Sequence, residues 1–573
     1  MASSGYTWHV YRKGISMRLR RGAFYLSIAG LLVMIGLPAA AEEEGGSRRP
    51  ITREELSPLT ALAPTGGGSP NMGQYVNPPN PICTQDWHDG DVYRTDCEGN
   101  APDNETSIAI DPTDTQRILA AGNDYQITAN PGSGLGGFAI FTRAMLSEDG
   151  GHTWVTHPVP YKSYNATGDP AVAYDADGTA YLATLGFVYS NGGAAFTNPD
   201  ILVSHSNDGG EQWTRPSVVA VGPGSWMTPG PSQDKEMIAA WGHGNAIVTW
   251  TRFLLGKQGS YIQSPIYASV THDGGKTWTS GVEISGAASF CEGAGPGAAR
   301  ACNQSQYSWP VVAADGSIYV YFLTLDPASN DFDDQVVVVQ VSPSDGRRVA
   351  GPWRIARIQD GAADYPVSWA GDLTLEDSHF RVGPQGNIAA DPTAGDHLAA
   401  VWSDMRNSPS KDQGEDQDPY LTETNADVFL SESFDAGRTW STPTVVGRNP
   451  TNDQFYPAVN FLGDGRIVVG MMDRSYDRAN HAYAYSLSLR TAGGWQTQNV
   501  SGALSDPTKD NRWFTGGAIF PDFPYPTTFI GDYTTVATDG TTARPLWTDL
   551  RNDTTFAGRT GHDEQFMETA VRY

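Results

Sequence analysis

Seven short segments of this 573-residue chain begin with residues that could do chemistry. Each segment continues as a run of small and apolar residues, which is typical of a β-strand. The first residues are, in chain order, Glu105, Asp169, Lys235 (with Asp234 before it), Trp309, Gln385, Tyr456 and Asp532. Carboxylates can act as general acids and bases, a lysine can hold an anion, and aromatic rings can stack on a sugar. Since unpaired charges are rare in a core, these residues form either a ligand site or a water-filled channel whose charges neutralise one another.

Arginines mark a second set of equivalent points. Arg406, Arg474 and Arg551 each follow a strand-like run, and each lies one or two residues after an aspartate. Three guanidinium groups could grip one carboxylate of a ligand, because each offers two parallel donors. The alternative is that each arginine pairs with its neighbouring aspartate and with the next repeat.

A repeated octet indicates which elements position these residues. Its pattern is Ser/Thr-x-Asp-x-Gly-x-x-Trp, and it occurs at Ser147–Trp154, Ser206–Trp213, Thr271–Trp278 and Ser433–Trp440. The aspartate can accept hydrogen bonds from the following backbone, glycine allows a positive φ, and tryptophan provides an apolar anchor. Each octet therefore predicts a hairpin turn with a structural role, the alternative being a role in binding. The first two intervals are about 60 residues and the last is more than twice as long, which indicates a repeat architecture with one degenerate copy.

The composition favours an all-β chain. The 64 glycines, 38 prolines and 16 tryptophans come with only 18% charged residues, and short strand runs alternate with turn signals throughout. Small residues in the seven aligned segments suit the crowded centre of a radial array. We therefore predict a β-propeller of four-stranded blades, seven in number, with six as the alternative. The last segment, 564–573, is expected to pair with N-terminal sequence and close the ring.

The octets resemble the Asp-box, or BNR, repeats of sialidases and related propellers, and the resemblance spans residues 104–573. It covers the fold repeats rather than the full sialidase catalytic set. The first blade of a sialidase opens with Arg-Ile-Pro, whereas the matching stretch here, 104–107, contains no arginine. Asp boxes also occur in lyases, other glycosidases and non-catalytic receptors.

The resemblance implies catalytic and substrate-binding roles for the aligned residues. Sialidases use a tyrosine nucleophile paired with a glutamate, an aspartate as acid/base, and three arginines on the sugar carboxylate. Tyr456 is the residue most similar to that nucleophile, and Glu105, Asp169 and Asp532 are the candidate acids and bases. The expected substrate-binding residues are Asp234, Lys235, Trp309, Arg406, Arg474 and Arg551.

The N-terminal part predicts an exported protein. Residues 1–41 combine a basic start, an apolar core and an Ala-rich end, which is typical of a cleaved signal peptide rather than a membrane anchor. Residues 42–75 are a predicted flexible linker, and 76–103 a disulfide-containing extension before the propeller. The net charge of −27 argues against nucleic acid as a partner and fits an acidic extracellular surface.

Four cysteines form two close pairs, Cys83 with Cys97 and Cys291 with Cys302. In an exported chain this spacing predicts two local disulfides, with four reduced thiols as the alternative. No cofactor is predicted. The acidic loops at 326–334 and 412–418 are read as solvated, with Ca²⁺ binding as the alternative, because neither has EF-hand spacing.

The sequence thus predicts a secreted, sialidase-like propeller that acts on or binds glycans through an axial funnel. An exo-glycosidase or a polysaccharide lyase competes with a catalytically silent carbohydrate-binding propeller. An extracellular scaffold for protein partners is the reading from another class. The sugar and the oligomeric state are not specified.

Overall fold

The structure is a computed structural model, which describes residues 83–97, 103–130, 134–161, 163–190, 195–197, 199–222, 229–295, 298–329, 333–361, 364–366, 373–378, 380–409, 423–447, 451–509, 529–556 and 559–573. The predicted signal peptide, the linker and the loop at 412–418 lie outside these residues. No helix in the described ranges is long and apolar enough to cross a membrane.

Seven antiparallel sheets form the blades of a β-propeller, as predicted. Three strands precede the first blade: β1 (Cys83–Gln85), β2 (His88–Asp89) and β3 (Val92–Arg94). Blade one contains β4 (Asp103–Ile110), β5 (Ile118–Asn130), β6 (Gly134–Ser147) and β7 (Trp154–His157), with β1 paired to β7. Blade two contains β8 (Ala166–Tyr174), β9 (Ala180–Phe187), β12 (Asp200–Ser206) and β13 (Ser217–Ala220). A separate hairpin of β10 (Tyr189–Ser190) and β11 (Ala195–Phe196) interrupts its sequence.

Blades three to five continue the pattern. Blade three contains β14 (Gly230–Trp241), β15 (Asn245–Leu255), β16 (Tyr261–Gln263), β17 (Ile266–Thr271) and β18 (Val282–Glu283). Blade four contains β19 (Ser305–Val312), β20 (Ile318–Leu325), β21 (Asp334–Val341) and β22 (Arg348–Arg357). Blade five contains β23 (Ile388–Ala390), β24 (Leu398–Asp404), β25 (Asp427–Ser433) and β26 (Thr444–Val445).

Blade six contains β27 (Gln454–Phe461), β28 (Ile467–Asp473), β29 (Ala484–Thr491) and β30 (Gly494–Asn499). Blade seven contains β31 (Thr535–Asp539), β32 (Thr542–Phe556) and β33 (Arg559–Thr569), and β34 (Val571–Arg572) pairs with β32. Three short 3-10 helices are also described: Lys257–Gly259, Arg474–Tyr476 and Pro507–Lys509.

Blade seven closes the ring with sequence from both ends of the described chain. Its fourth strand is β3, whose Val92 lies opposite Thr569 and whose Arg94 lies opposite Met567 on β33. The expected pairing of the C-terminal segment with N-terminal sequence is confirmed. It removes the exposed edge that blade seven would otherwise present.

Apolar clusters fill the spaces between blades. The described residues form seven clusters of buried side chains, each contributed mainly by two adjacent blades. Trp154, Trp250, Trp402 and Trp547 are fully buried in four of them. Because period-2 alternation gives every strand two faces, one side of each blade packs forward and the other packs backward around the ring.

The four octets form the turns between β6 and β7, β12 and β13, β17 and β18, and β25 and β26, in blades one, two, three and five. In the first, Asp149 Oδ1 accepts from the backbone N–H of Thr153 at 2.9 Å, and Trp154 Nε1 donates to the Gly151 carbonyl at 3.0 Å. Thr277 and Thr439 make the same backbone bond to Asp273 and Asp435. The octets are hairpin turns, as predicted, and the turn between β21 and β22 of blade four lacks the octet pattern.

Cys291 and Cys302 form a disulfide with Cα atoms 5.1 Å apart, which confirms that predicted pair. Cys97 is also disulfide-bonded. The side chain of Cys83 lies outside the described residues, so its pairing with Cys97 stays a prediction.

Candidate functional site

A β-bulge near the start of the inner strand positions the candidate residues. In five blades the inner strand shifts register over two residues against its neighbour. The first bulged residue has a positive φ each time: Glu105 (57°), Asp169 (57°), Lys235 (52°), Tyr307 (56°) and Tyr456 (48°). A left-handed backbone costs a residue with a side chain about 1–2 kcal/mol. The propeller therefore holds five strained, non-glycine residues at equivalent positions.

The bulge in blade four shows that one position of the sequence alignment was wrong. In blade four the bulged residue is Tyr307, whereas Trp309 lies two residues further along β19 and is partly buried between blades. The Trp309-Pro310 pair imitates Asp169-Pro170 and Tyr456-Pro457 in sequence, which shifted the alignment. A register shift is not visible in residue types, so the sequence alone could not place Tyr307.

Lys235 is the centre of the axial cluster, which we define as Glu105, Asp169, Lys235, Arg381 and Asp532. The Lys235 Nζ lies 3.1 Å from Glu105 Oε1, 3.0 Å from Asp169 Oδ2 and 2.7 Å from Asp532 Oδ2. The ammonium thus joins carboxylates from blade one, blade two and the segment before blade seven. Three of the predicted catalytic residues and one predicted binding residue are brought together.

Arg381 completes the cluster and had no signal in the repeats. It lies before β23, and its Nε donates to Asp532 Oδ1 at 2.8 Å while Nη2 binds the other oxygen. Such a two-point contact fixes the carboxylate in orientation as well as in position. Its guanidinium also lies over the Phe529 ring, 4.9 Å from the ring centre.

Uncharged side chains form further hydrogen bonds to the axial cluster. Asn123 donates to Glu105 Oε2 at 2.7 Å and accepts from the Asp169 backbone N–H at 2.9 Å. The Gln385 amide donates to the Asp532 carbonyl at 2.6 Å, and the Tyr456 hydroxyl donates to the Arg381 carbonyl. Asp234 accepts from the Lys235 backbone N–H at 2.9 Å. Gln385 and Tyr456 therefore belong to the same assembly as the charged residues.

Burial and charge divide the protonation states of the cluster. Burial, followed by the charge of Asp169, raises the pKa of Glu105 well above its ordinary value, although Lys235 acts against this. For Asp532, burial acts to raise the pKa, but Arg381 and Lys235 outweigh it and lower the pKa to about 2. For Lys235, burial acts to lower the pKa, and the Asp169, Asp532 and Glu105 carboxylates raise it well above normal. Glu105 therefore favours the acid form, whereas Asp532 is a carboxylate.

Glu236 is a second buried acid that the alignment did not single out. Burial and the charge of Asp169 raise its pKa well above the ordinary value. Neither carboxyl oxygen has a hydrogen-bond partner in the part of the chain that the structure describes. Glu236 directly follows Lys235 in the sequence. Its position next to an aligned residue was therefore the available sequence signal for it.

The cluster is closed rather than open. Glu105 and Asp532 are 0% exposed, Lys235 1% and Asp169 4%. Buried charges are stable only when paired, and here the Lys235 ammonium lies within 3.1 Å of three carboxyl groups while Arg381 pairs with one of them, Asp532. The residues predicted to surround an axial funnel do converge, and in this state they are shielded from solvent.

The three arginines are not brought together by any contact of the described residues. Arg406 pairs with Asp404 and donates to the Arg357 carbonyl, and Arg551 pairs with Asp549 and donates to the Ser501 carbonyl. Arg474 is fully buried and contacts Asp453 at 3.3 Å rather than the adjacent Asp473. Each guanidinium connects its own blade to chain outside it. Pairing with the neighbouring aspartate therefore occurs at Arg406 and Arg551 but not at Arg474, and Arg406 and Arg551 contact the preceding blade rather than the next repeat.

The acidic loop at 326–334 makes protein contacts in its described part. Asp326 binds Arg357 Nε at 2.9 Å, and Asp333 Oδ1 accepts from the Gly361 backbone N–H at 2.9 Å. Among the residues that the structure describes, no group of three His, Cys, Asp or Glu side chains could hold a metal ion.

The chain is similar to several solved structures at low sequence identity. No family model matches the chain, and no curated protein matches its sequence. Among solved structures, Hadza microbial sialidase Hz136 is 11% identical over 77% of this chain and 74% of its own, with a TM-score of 0.39. An α-L-arabinofuranosidase from Fusarium graminearum is 12% identical over 70% of this chain and 92% of its own, with a TM-score of 0.39. A polysaccharide lyase, an ulvan lyase, is 11% identical over 69% of this chain and 81% of its own, with a TM-score of 0.40.

Proposed function

We propose that the chain is a secreted Asp-box propeller, similar to sialidases, that acts on glycans through the axial cluster as a glycosidase. The observation that carries this proposal is the convergence of Glu105, Asp169 and Asp532 on the Lys235 ammonium. Non-glycine residues held at positive φ in five blades support it, because a fold keeps strained side chains where their position matters.

The split in protonation suits glycoside cleavage. Glu105, kept in its acid form, can donate a proton to the leaving oxygen, and ionised Asp532 can stabilise or attack the developing oxocarbenium ion. Both carboxyls are within 3.1 Å of one nitrogen, a spacing compatible with the roughly 5–5.5 Å separation of retaining enzymes. Burial raises the pKa of Tyr456 well above normal, so its neutral phenol is a weaker nucleophile than the carboxylates.

Substrate access requires the closed cluster to open. A sugar hydroxyl or carboxylate that replaced one carboxylate at Lys235 or Arg381 would free that carboxylate for chemistry. Exclusion of water from the closed state would strengthen each remaining charge interaction.

The direct test is sugar release from a panel of fluorogenic glycosides that includes a sialoside and an arabinofuranoside. Glu105→Gln and Asp532→Asn should each lower kcat by about 10²-fold or more. Asp169→Asn and Tyr456→Phe rank the remaining candidates. Asp345→Asn, on the exposed turn of blade four, is the matched control and should leave turnover unchanged. Wild-type turnover in both Glu105→Gln and Asp532→Asn would refute the site.

A non-catalytic role is the second candidate, because the axial charges are buried and mutually paired. Absence of turnover together with binding on a glycan array would support a carbohydrate-binding propeller. Absence of both would support the protein-interaction scaffold. A lyase would instead release an unsaturated sugar, which is detected by its ultraviolet absorbance.

A further inference from the structure

A cavity of about 530 Å³ lies beside blade six and shares no lining residue with the axial cluster. Its polar walls come from the start of β27, the end of β28, the 3-10 helix Arg474–Tyr476 and β30. The polar lining residues are Gln454, Asp473, Ser475, Tyr476, Thr497, Gln498 and Asn499. Its volume is within the range of small-molecule sites.

The alternating pattern of β29 places small polar side chains next to two of the lining residues. Tyr485 and Leu487 point to one face, where they pack in the cluster shared with blade seven. Ser486 and Ser488 point to the other face, opposite Met471 and Val469 on β28. Ser486 Oγ donates to Asp473 Oδ2 at 2.7 Å, and the Ser488 and Thr497 hydroxyls bond each other at 2.8 Å, so the serines hold both lining side chains in place.

Gln454 contributes an unsatisfied hydrogen-bond acceptor to the wall of the cavity. The residue is 2% exposed, and its Nε2 donates to the Asn452 carbonyl. Its Oε1 has no hydrogen-bond partner among the residues that the structure describes. A buried acceptor without a donor is costly, so a ligand hydroxyl that met this oxygen as the Gln454 side chain turned toward the cavity would be favoured.

The remaining walls define the chemistry of that ligand. Among the described residues of the lining, Asp473 is the one acidic side chain and none is basic. Phosphate, carboxylate and sulfate groups would therefore be repelled. Tyr476 is 42% exposed and offers an aromatic face at the rim, and amides at Gln498 and Asn499 can both donate and accept. An aromatic face beside neutral amides is the surface that a sugar ring, with its apolar C–H face and many hydroxyls, can use.

We propose that this cavity binds a short neutral saccharide and is a second glycan site, independent of the axial cluster. It would hold a polymer or a branched glycan on the side of the propeller, so that affinity does not depend on the axial site alone. The inference does not rest on catalysis at Glu105 or Asp532.

The test is binding of the intact protein to an array of oligosaccharides, followed by calorimetric titration. The probes are lactose, cellobiose, maltose and arabinobiose, with sialyllactose as the anionic counterpart of lactose. Tyr476→Ala should weaken binding of a neutral probe about tenfold, and Tyr476→Phe should retain it. Gln454→Met, which keeps size but removes the acceptor, should weaken it about threefold to tenfold.

Phe434→Ala is the matched control, because Phe434 is an exposed aromatic (65%) on the octet of blade five, outside the cavity lining. It should bind like the wild type. The double variant Glu105→Gln/Asp532→Asn should also keep this binding, which separates failure of the axial proposal from failure of this one. Wild-type affinity in Tyr476→Ala, a preference for sialyllactose, or no binding to any neutral probe would each overturn the inference.

Discussion

The axial cluster and the octet turns both combine acidic side chains with left-handed backbone. They differ in where the hydrogen-bond partners of those side chains come from. An octet aspartate is bound within its own turn, as Asp273 is by Thr277, four residues away. Glu105 is bound by Lys235, which is 130 residues away in another blade. Octets place glycine at almost every positive φ, whereas the bulges on the axis place Glu, Asp, Lys and Tyr there.

This difference separates local stability from a site that the whole ring must assemble. Slight burial acts to raise the pKa of Asp273, but hydrogen bonds from Thr277 outweigh it and lower this pKa to about 2. The turn therefore fixes its own charge state. The axial side chains obtain their charge states only when three distant parts of the chain meet. Substitutions in the two regions should therefore differ in size and in pH dependence.

Removal of the axial cation should have the largest effect. Lys235→Met leaves the buried Glu105, Asp169 and Asp532 carboxyl groups without their shared partner, and should lower the free energy of unfolding by about 3–5 kcal/mol. Urea unfolding followed by tryptophan fluorescence measures this. Lys276→Met, on the exposed third octet, should stay within about 0.5 kcal/mol of the wild type. Equal losses would mean that the cluster is not a centre of stability.

The pH dependence that Glu105 contributes to stability should have the opposite sign to that of the octet aspartates. Because the folded pKa of Glu105 is raised, its favourable contribution is complete below the ordinary glutamate pKa and is lost as pH rises toward the folded value. Glu105→Gln removes this loss, so the variant should gain on the wild type by up to about 1.4 kcal/mol per pH unit in that window. Asp273 contributes above the ordinary aspartate pKa and loses its contribution only as pH falls toward 2.

Unfolding curves across about pH 4 to 8 measure this difference. Glu148→Gln, on the exposed first octet, is the control and should show no such slope. A constant offset between Glu105→Gln and the wild type would contradict the assigned acid form of Glu105.

Loss of an octet carboxylate should cost less than loss of the axial lysine. Asp273→Ala removes the bonds to the Thr277 backbone and hydroxyl, and should lower the free energy of unfolding by about 1–2 kcal/mol. Asp345→Ala, in the turn of blade four that lacks the octet pattern, should change it by less than about 0.5 kcal/mol. The midpoint of urea unfolding is sufficient, and a larger loss at Asp345 would remove the distinction between octet and ordinary turn.

The smallest effect concerns the one octet that departs from the glycine rule. Ala436 has a φ of 61° where the other octets have glycine. Ala436→Gly should relieve this strain and stabilise the protein by about 0.5–1 kcal/mol, whereas Gly274→Ala should destabilise it by a similar amount. Thermal unfolding of both variants checks the pair, and a shift in the same direction for both would contradict it.

The local part of this comparison could be predicted from the sequence, and the non-local part only partly. The octets are complete within eight residues, so their types specify the turn, and four of them set the phase of the repeat. That phase located Glu105, Asp169, Lys235, Tyr456 and Asp532. It misplaced blade four at Trp309, because a bulge adds residues without changing composition, and it missed Arg381, which lies in a connection that no repeat marks. Burial of the cluster and the separate contacts of the three arginines depend on how blades pack.

The closure of the ring has a kinetic consequence. Because β3 pairs with β33, a strand from the first described segment cannot find its partner until nearly all of the chain is available. Contacts of such long sequence separation slow folding and leave strand edges open to other chains in the meantime. The axial cluster depends on the same late step, since Asp532 precedes the last blade. A partly synthesised chain would therefore have finished octets long before it had any site.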